Sequence, residues 1–276
     1  MMAQCGRSLV APETNGQVPG TITGIFLALF LCLLSGCNPV EHPFQDEFGK
    51  KELLVYCGAT MTRPIMELAA LMEQRHDCAV RISYGASSYL QKSIEVNRIG
   101  DLFLPGNTSY LQPLEARGII TARVDVGYME LALFVRKGNP KKVRPDLREL
   151  LRHDLKTAIG LPDAGSVGRE TRYLLNRLDI YRSVVKKADH FGTDSRDLVN
   201  GLRHGTADVV LNWRAVLHQG DNEKAVQELR LPRQQTRKQK IAIGMLAYSR
   251  HPELARQFLA LAGSDAGREI FCRYGF

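Results

Sequence analysis

Four short loops carry residues that could bind a ligand, because each combines small residues with a hydroxyl side chain. They lie at residues 57–61, 85–88, 165–168 and 192–195. Each loop directly precedes a segment with helical apolar spacing, so backbone N–H groups left free at the positive end of a helix lie beside the hydroxyls. Neutral donors arranged in this way bind anions. A single loop of this kind is most simply an ordinary helix cap, but four of them, two in each half of the chain, predict an anion-binding site.

The elements before these loops predict a parallel sheet that would position them. Short apolar segments at 53–56, 79–83 and 101–104 alternate with two segments of helical spacing in the first half of the chain. Such a βαβαβ order forms a parallel sheet with helices on both faces. Ligands bind beyond the carboxyl ends of the strands in such sheets, which is where the first two loops fall. From residue 130 onward strand and helix patterns alternate again and predict a second unit that holds the other two loops.

The N-terminal residues predict export and lipid attachment. An apolar run at 22–34 carries no charge. It is too short to span a bilayer, which needs about 20 residues, but it suits the core of a signal peptide. The run ends in Leu34-Ser35-Gly36-Cys37, which resembles the lipobox of bacterial lipoproteins. This resemblance implies a signal peptide at 1–36, acylation of Cys37 with palmitate-type chains, and a polar tether at 37–50. The alternative is an uncleaved anchor followed by a chance cysteine.

Charge and composition argue against several function classes. The net charge is +8, but the basic residues are scattered and the protein is expected outside the cytoplasm, so we expect no nucleic-acid partner. Seven histidines include no pair at metal-ligand spacing, and we expect no metal and no cofactor. Cys57, Cys78 and Cys272 would remain beyond Cys37, and they do not form a disulfide framework. A nucleophilic Cys57, activated at the start of a helix, is the enzyme alternative.

Several segments resemble periplasmic molybdate- and tungstate-binding proteins. The segment Tyr56-Cys57-Gly58-Ala59-Thr60-Met61 is similar to the first binding loop of that family, and Tyr84-Gly85-Ala86-Ser87-Ser88-Tyr89-Leu90 is similar to the second. The segment Gly100-Asp101-Leu102-Phe103-Leu104 resembles a strand of the family, and residues 269–276, which end in Arg-Tyr-Gly-Phe, resemble its final helix. The resemblance runs in order from Leu53 to Phe276.

The resemblance implies an α/β fold of the type II periplasmic-binding-protein class. Such a protein has two lobes, each a mostly parallel sheet flanked by helices. Lobe 1 would comprise residues 51–128 and 241–276, and lobe 2 residues 129–240. The protein would be the extracytoplasmic solute-binding lipoprotein of an ABC importer. It would act as a monomer that closes on a tetrahedral oxyanion and then meets a membrane permease.

The resemblance also implies which residues hold the ligand. Thr60 and Ser87 would bind through their hydroxyls. Val167 and Ser195 would bind through their backbone amides. Asn212 and Trp213, late in the sequence, would complete the site. Trp213 stands where the family has a tyrosine. An indole N–H donates a hydrogen bond, as a phenol does, but with a different reach, so the ligand identity stays open.

Other ligands are compatible with the same loops. A site made only of donors suits molybdate or tungstate, because these anions accept hydrogen bonds and carry no proton. Hydrogen phosphate would also need an acceptor, which Asp163 or Asp194 could supply, although aspartate is common in turns and helix caps. Sulfate or an organic anion could occupy the same fold. An envelope enzyme that uses Cys57 is the alternative of another class.

Overall fold

Residues 50–276 are described by the computed structural model. The predicted signal peptide at 1–36, the predicted lipidation site Cys37 and the tether up to residue 49 lie outside the described residues. Within residues 50–276, no helix is both long enough and apolar enough to cross a membrane.

The described chain alternates strands and helices. The strands are β1 (Lys51–Gly58), β2 (Cys78–Gly85), β3 (Leu102–Leu104), β4 (Ile120–Met129), β5 (Leu131–Arg136), β6 (Thr157–Gly160), β7 (His190–Gly192), β8 (Val209–Trp213), β9 (Val226–Leu229) and β10 (Gln239–Leu246). The helices are α1 (Thr62–Arg75), α2 (Ser87–Asn97), α3 (Gln112–Glu115), α4 (Ser166–Arg177), α5 (Tyr181–Lys187), α6 (Ser195–Arg203), α7 (Asn222–Ala225), α8 (Pro252–Gly263) and α9 (Asp265–Arg273).

The strands form two sheets with matching topology. The first has the order β2-β1-β3-β10-β4 and the second the order β7-β6-β8-β5-β9. In the first sheet β1 is parallel to β2 and β3, whereas β10 is antiparallel to β3 and β4. In the second sheet β6 is parallel to β7 and β8, whereas β5 is antiparallel to β8 and β9. The predicted α/β class is confirmed, and each sheet is mixed because one strand enters it from the other sheet.

The chain passes between the sheets twice. It leaves the first sheet after Met129 and enters the second at Leu131. It leaves the second sheet after Leu229 and returns to the first at Gln239. These crossings fall at or near the positions where the sequence predicts a change of lobe, and the lobe boundaries at 128/129 and 240/241 remain predictions.

Burial explains why these segments adopt their structures. All apolar residues of β5 are buried, as expected for a strand that is covered on both faces. Helix α1 buries Ile65, Leu68 and Met72, at the spacing of one helical face.

In the register of β1 and β2, Cys57 lies opposite Tyr84 and Cys78 opposite Lys51. These two cysteines therefore stand at opposite ends of the paired strands, and both are free thiols.

Candidate functional site

A cavity lies where loops from the two sheets meet. Its volume is about 260 Å³ when the space at its mouth is included. The lining residues come from the carboxyl ends of strands and the starts of helices in both sheets: Gly58, Ala59, Thr60, Met61, Gly85, Ala86, Ser87, Gly106, Gly165, Ser166, Val167, Asp194 and Ser195. All four loops singled out in the sequence contribute to this wall.

Two of the helices that start at the cavity lack a side-chain cap. Helix α2 follows Ala86 and α4 follows Gly165, and no described side chain accepts a hydrogen bond from the first turn of either helix. The first backbone N–H groups of a helix have no partner within the helix itself. They therefore remain available, together with the positive end of the helix dipole, to an anion in the cavity.

Hydroxyl groups in the cavity wall contact one another or fixed donors. Thr60 Oγ1 lies 3.0 Å from Ser195 Oγ, which joins the first loop to the fourth. Ser87 Oγ accepts a hydrogen bond of 3.0 Å from the backbone N–H of Gly106. Ser166 Oγ lies 3.2 Å from the indole nitrogen Nε1 of Trp213, which donates to it.

The structure brings four of the six predicted ligand-binding residues to the cavity. Thr60, Ser87, Val167 and Ser195 line it. The other two, Asn212 and Trp213, are fully buried behind the wall at the end of β8. Asn212 Nδ2 donates to the Ser195 carbonyl at 2.9 Å, and its Oδ1 accepts from the Trp213 backbone N–H at 2.9 Å. Both side chains therefore contact residues of the cavity wall and do not themselves line the cavity.

Nine of the thirteen lining residues were not among the predicted ligand contacts, and two of these nine, Ser166 and Gly106, contact each other's loops across the cavity. Ser166 belongs to the third loop, but the family resemblance assigned only the amide of Val167 there. Gly106 lies in the loop after β3, and the carboxyl end of β3 lies beside that of β1. Its position directly after a predicted parallel strand is the signal that could have found it. A Cβ atom on Gly106 would lie 2.0 Å from Ser166 Oγ and 2.7 Å from Ser166 Cβ. Only glycine fits at this point of contact.

Charged side chains near the site are engaged elsewhere. The Asp194 carboxylate caps α6 by accepting from the N–H groups of Arg196 at 2.8 Å and Asp197 at 3.1 Å. Asp163 is not among the residues that line the cavity. Arg214 pairs with Glu130 and Glu228. The walls therefore present neutral donors, with Asp194 as the one charged residue among the described residues that line the cavity.

Further contacts join the loops of the two sheets around the cavity. The Arg169 guanidinium lies 3.8 Å from the centre of the Tyr110 ring, and its Nη1 donates to Ser109 Oγ at 2.9 Å. On the other side, the Arg196 guanidinium lies 4.9 Å from the centre of the Tyr84 ring. Both are cation–π contacts, and with the hydroxyl contact in the cavity they hold the two sets of loops together.

Cys57 has no exposure to solvent and does not line the cavity. Its thiol contacts the Gly58 carbonyl at 3.4 Å. Burial raises the pKa of the Cys57 thiol, which is the opposite of the lowering that the enzyme alternative requires. Residues 50–276 also contain no cluster of three or more His, Cys, Asp or Glu side chains that could hold a metal ion.

A family model matches most of this chain. The family described as bacterial extracellular solute-binding protein matches residues 53–276, which include every residue that lines the cavity and both sheets except the first two residues of β1.

Individual proteins with known roles are similar over most of their length. The molybdate-binding protein ModA of Mycobacterium bovis is 23% identical over 262 residues, which cover 93% of this chain and 97% of that protein. The sulfate-binding protein SubI of Mycobacterium tuberculosis superposes with a TM-score of 0.71 at 20% identity, covering 82% of this chain and 86% of SubI. The periplasmic molybdate-binding protein of Azotobacter vinelandii gives a TM-score of 0.68 at 16% identity, covering 81% and 97%. The two structures share the fold of this chain.

Proposed function

The chain belongs to the bacterial extracellular solute-binding proteins, and from this premise we propose that it carries a tetrahedral oxyanion, molybdate or tungstate, in the cavity between its sheets. Membership of the family confirms two predictions: that the chain is a solute-binding protein, and that it is not an enzyme. The proposal adds the ligand, its binding residues and an ABC-transporter permease as the partner that receives it.

The observation that carries the proposal is the donor chemistry of the cavity wall. Thr60, Ser87, Ser166 and Ser195 contribute hydroxyls, and the starts of α2 and α4 contribute backbone N–H groups without a side-chain cap. A fully deprotonated dianion accepts hydrogen bonds at every oxygen and offers none. Such an anion is bound well by neutral donors and helix dipoles, without a buried cation.

Hydrogen phosphate fits this wall less well. It carries a proton that needs an acceptor, and an unmet donor in a buried site costs about 1–3 kcal/mol. Asp194 is the one carboxylate among the described residues of the wall. Its Oδ1 already accepts from the start of α6, and its Oδ2 accepts from the Arg196 guanidinium at 3.1 Å. Phosphate would have to compete with these contacts in order to bind.

Sulfate is the second candidate. It also accepts hydrogen bonds without donating, and a solved structure that shares this fold is a sulfate-binding protein. Sulfate is smaller than molybdate, so we expect it to contact the donors of the four loops less fully. The similarity in sequence to a molybdate-binding protein supports the larger anions.

Titration calorimetry of the purified protein with molybdate, tungstate, sulfate and phosphate tests the proposal. Molybdate and tungstate should bind most tightly and with similar affinity, sulfate more weakly and phosphate weakest. Thermal unfolding gives an independent reading, since ligand at a hundredfold excess over Kd adds about 2.7 kcal/mol to the free energy of unfolding. Tight binding of phosphate alone would make the protein a phosphate receptor, and no binding of any oxyanion would contradict the proposal.

We also propose that the protein is attached to the membrane through acylated Cys37. The support is the Leu34-Ser35-Gly36-Cys37 segment after an uncharged apolar run. Stable attachment needs more than one acyl chain, as lipoproteins have. Cys37→Ser should move the protein from the membrane fraction to the soluble fraction or leave an uncleaved precursor. Wild-type protein that is cleaved elsewhere and carries no lipid by mass spectrometry would contradict the anchor.

A further inference from the structure

Two serines of the cavity wall accept hydrogen bonds from groups that can only donate. Ser166 Oγ accepts from the indole N–H of Trp213 at 3.2 Å, and Ser87 Oγ accepts from the Gly106 backbone N–H at 3.0 Å. Neither an indole N–H nor a backbone N–H can accept a hydrogen bond. The direction of both hydrogen bonds is therefore fixed by chemistry, without any assignment of hydroxyl hydrogens.

This arrangement determines where the hydroxyl protons go. A serine hydroxyl has one proton and two lone pairs. The donor occupies a lone pair on each serine, and among the described residues no group accepts the proton of either hydroxyl in return. Both side chains line the cavity. The protons of Ser87 and Ser166 therefore point into the cavity, where they meet whatever ligand is bound.

The Thr60–Ser195 pair adds a third proton. One of these hydroxyls donates to the other across 3.0 Å. Whichever of the two is the acceptor keeps its own proton, and both residues line the cavity. The wall thus directs hydroxyl protons from both sheets toward the ligand.

We infer that Trp213 is a positioning residue that makes Ser166 a hydrogen-bond donor toward the ligand, so that the site discriminates against oxyanions that carry a proton. This inference rests on the proposed function, and it concerns selectivity within that function. Trp213 acts through Ser166 and does not itself line the cavity.

The surroundings of Trp213 hold its indole in this role. The side chain is fully buried, and its backbone N–H donates to Asn212 Oδ1 at 2.9 Å. The hydroxyl of a tyrosine at the same place could either donate to Ser166 or accept from it. The indole removes the second possibility. A ligand proton could then reach the second lone pair of Ser166 only if the hydroxyl turned its own proton toward the wall, where no described group accepts it.

The substitution Trp213→Phe tests this role, because phenylalanine keeps an aromatic ring but has no N–H. The Ser166 hydroxyl then becomes free to turn and accept. At mildly alkaline pH, where phosphate is mainly hydrogen phosphate and matches molybdate in charge, the preference for molybdate over phosphate should fall about tenfold in calorimetric titration. The preference for molybdate over sulfate should stay within about twofold, since neither anion carries a proton. A general loss of packing would instead weaken all three anions together.

Ser166→Ala and the double variant complete the cycle. If Trp213 acts through Ser166, adding Trp213→Phe to Ser166→Ala should leave the molybdate-to-phosphate preference unchanged. Equal changes in that preference with and without Ser166 would overturn the inference. This comparison remains decisive if Trp213→Phe alone lowers stability, because stability affects all anions alike.

A second readout needs no ligand. Trp213 is the only tryptophan in the chain, so its indole N–H gives one identifiable resonance in a proton–nitrogen spectrum. Ser166→Ala should shift this resonance and speed its exchange with solvent, whereas Ser183→Ala, which changes an exposed serine of α5, should not. An indole resonance that does not respond to Ser166→Ala would overturn the hydrogen bond on which the inference stands.

The outcomes separate the two claims. Wild-type protein that binds molybdate tightly, with a preference over phosphate that Trp213→Phe does not change, contradicts the inference and leaves the proposed function intact. Wild-type protein that binds no oxyanion contradicts the proposed function, and the selectivity role of Trp213 falls with it.

Discussion

Removal of one hydroxyl from the cavity wall should weaken anion binding with little effect on folding. Thr60 and Ser87 lie where loops meet, and a lost hydrogen bond to a charged ligand costs about 1.5–3 kcal/mol. We expect Thr60→Ala and Ser87→Ala each to weaken molybdate binding by about that amount in calorimetric titration. Ser183→Ala is the matched control, because Ser183 is exposed on α5. Wild-type affinity in both cavity variants would contradict the site.

A methyl group at Gly106 should keep the two sets of loops apart. The added Cβ would lie 2.0 Å from Ser166 Oγ, and overpacking of this kind typically costs about 1–3 kcal/mol. Gly106→Ala should therefore weaken molybdate binding by roughly that amount. The matched control is Gly85→Ala, also in the cavity wall, where a Cβ would meet Leu90 at an ordinary 3.7 Å. Equal affinities in the two variants would show that the contact at Gly106 is not needed for binding.

Local sequence predicts the donors of the site better than it predicts the residues behind them. Thr60 and Ser87 could be found because a hydroxyl next to small residues before a helix has a physical meaning by itself. Trp213 shares no local pattern with Ser166, and the two meet only because β8 ends behind the start of α4. The same holds for Gly106, whose need for glycine arises from a residue 60 positions later in the chain. Contacts of this kind exist only in the folded protein.

At the scale of elements, substitutions of Asp194 distinguish its contribution to stability, as the cap of α6, from its effect on ligand binding. Asp194→Ala should lower the free energy of unfolding by about 1 kcal/mol, because the N–H groups of Arg196 and Asp197 lose their acceptor. Asparagine is an equally good cap, so Asp194→Asn should unfold within a few tenths of a kcal/mol of wild type. Chemical denaturation measures both values.

The Asp194→Asn variant also tests the identity of the ligand. Asp194→Asn removes a negative charge from the cavity wall, so molybdate affinity should be unchanged or higher in titration. If the natural ligand were hydrogen phosphate held by the Asp194 carboxylate, this variant would instead lose phosphate binding. That result would support the phosphate alternative.

The sequence revealed one edge strand of the first sheet, β2, but not the other, β4. The predicted strands at 53–56 and 79–83 fall inside β1 and β2, where short runs of apolar residues predict a strand. Strand β4 was not predicted, because at the edge of the first sheet only three of its ten residues are buried and its apolar residues do not form a continuous run. Its partner β10 arrives from the other end of the chain. The mixed character of the sheet therefore had no local signal.

At the scale of the whole molecule, Glu149 should make the free energy of unfolding decrease as the pH falls into the acid range. Its carboxylate is almost fully buried between Arg144 and Arg152. Burial alone would raise the pKa of Glu149, but hydrogen bonds from Arg152 and Arg144 outweigh it and leave the pKa lowered. The unfolded chain then binds the proton more readily than the folded one. The stabilisation is present above the ordinary glutamate pKa and is lost as pH falls through the lowered folded value.

The variant Glu149→Gln should therefore unfold more easily at neutral pH, by about 1–3 kcal/mol for lost hydrogen bonds to charged groups. Its free energy of unfolding should also change less than that of wild type as pH falls below about 4.5, the ordinary value. Glu253→Gln is the control, since Glu253 is 72% exposed and its pair with Arg256 lies at the surface. Parallel pH profiles for Glu149→Gln and wild type would contradict this account.

Contacts between the two sets of loops should set how long the ligand stays bound. The half-buried Arg169 stacks on the buried ring of Tyr110, and a cation–π contact contributes about 0.5–2 kcal/mol depending on its exposure. Because this contact joins loops of opposite sheets, its loss should favour opening and speed ligand release. Arg169→Lys keeps the charge but loses the planar stacking. Stopped-flow measurement should show dissociation about tenfold faster, with the association rate close to wild type.

Tyr110 provides the matched control for this prediction. Its hydroxyl is buried and has no hydrogen-bond partner among the described residues, so Tyr110→Phe removes only an unused polar atom and keeps the ring that Arg169 covers. Dissociation from Tyr110→Phe should match wild type, whereas Tyr110→Leu should resemble Arg169→Lys. If Tyr110→Leu released the ligand at the wild-type rate, the stacked pair would not hold the loops closed. If Tyr110→Phe released it as fast as Tyr110→Leu, the phenol oxygen rather than the ring would be the part that matters.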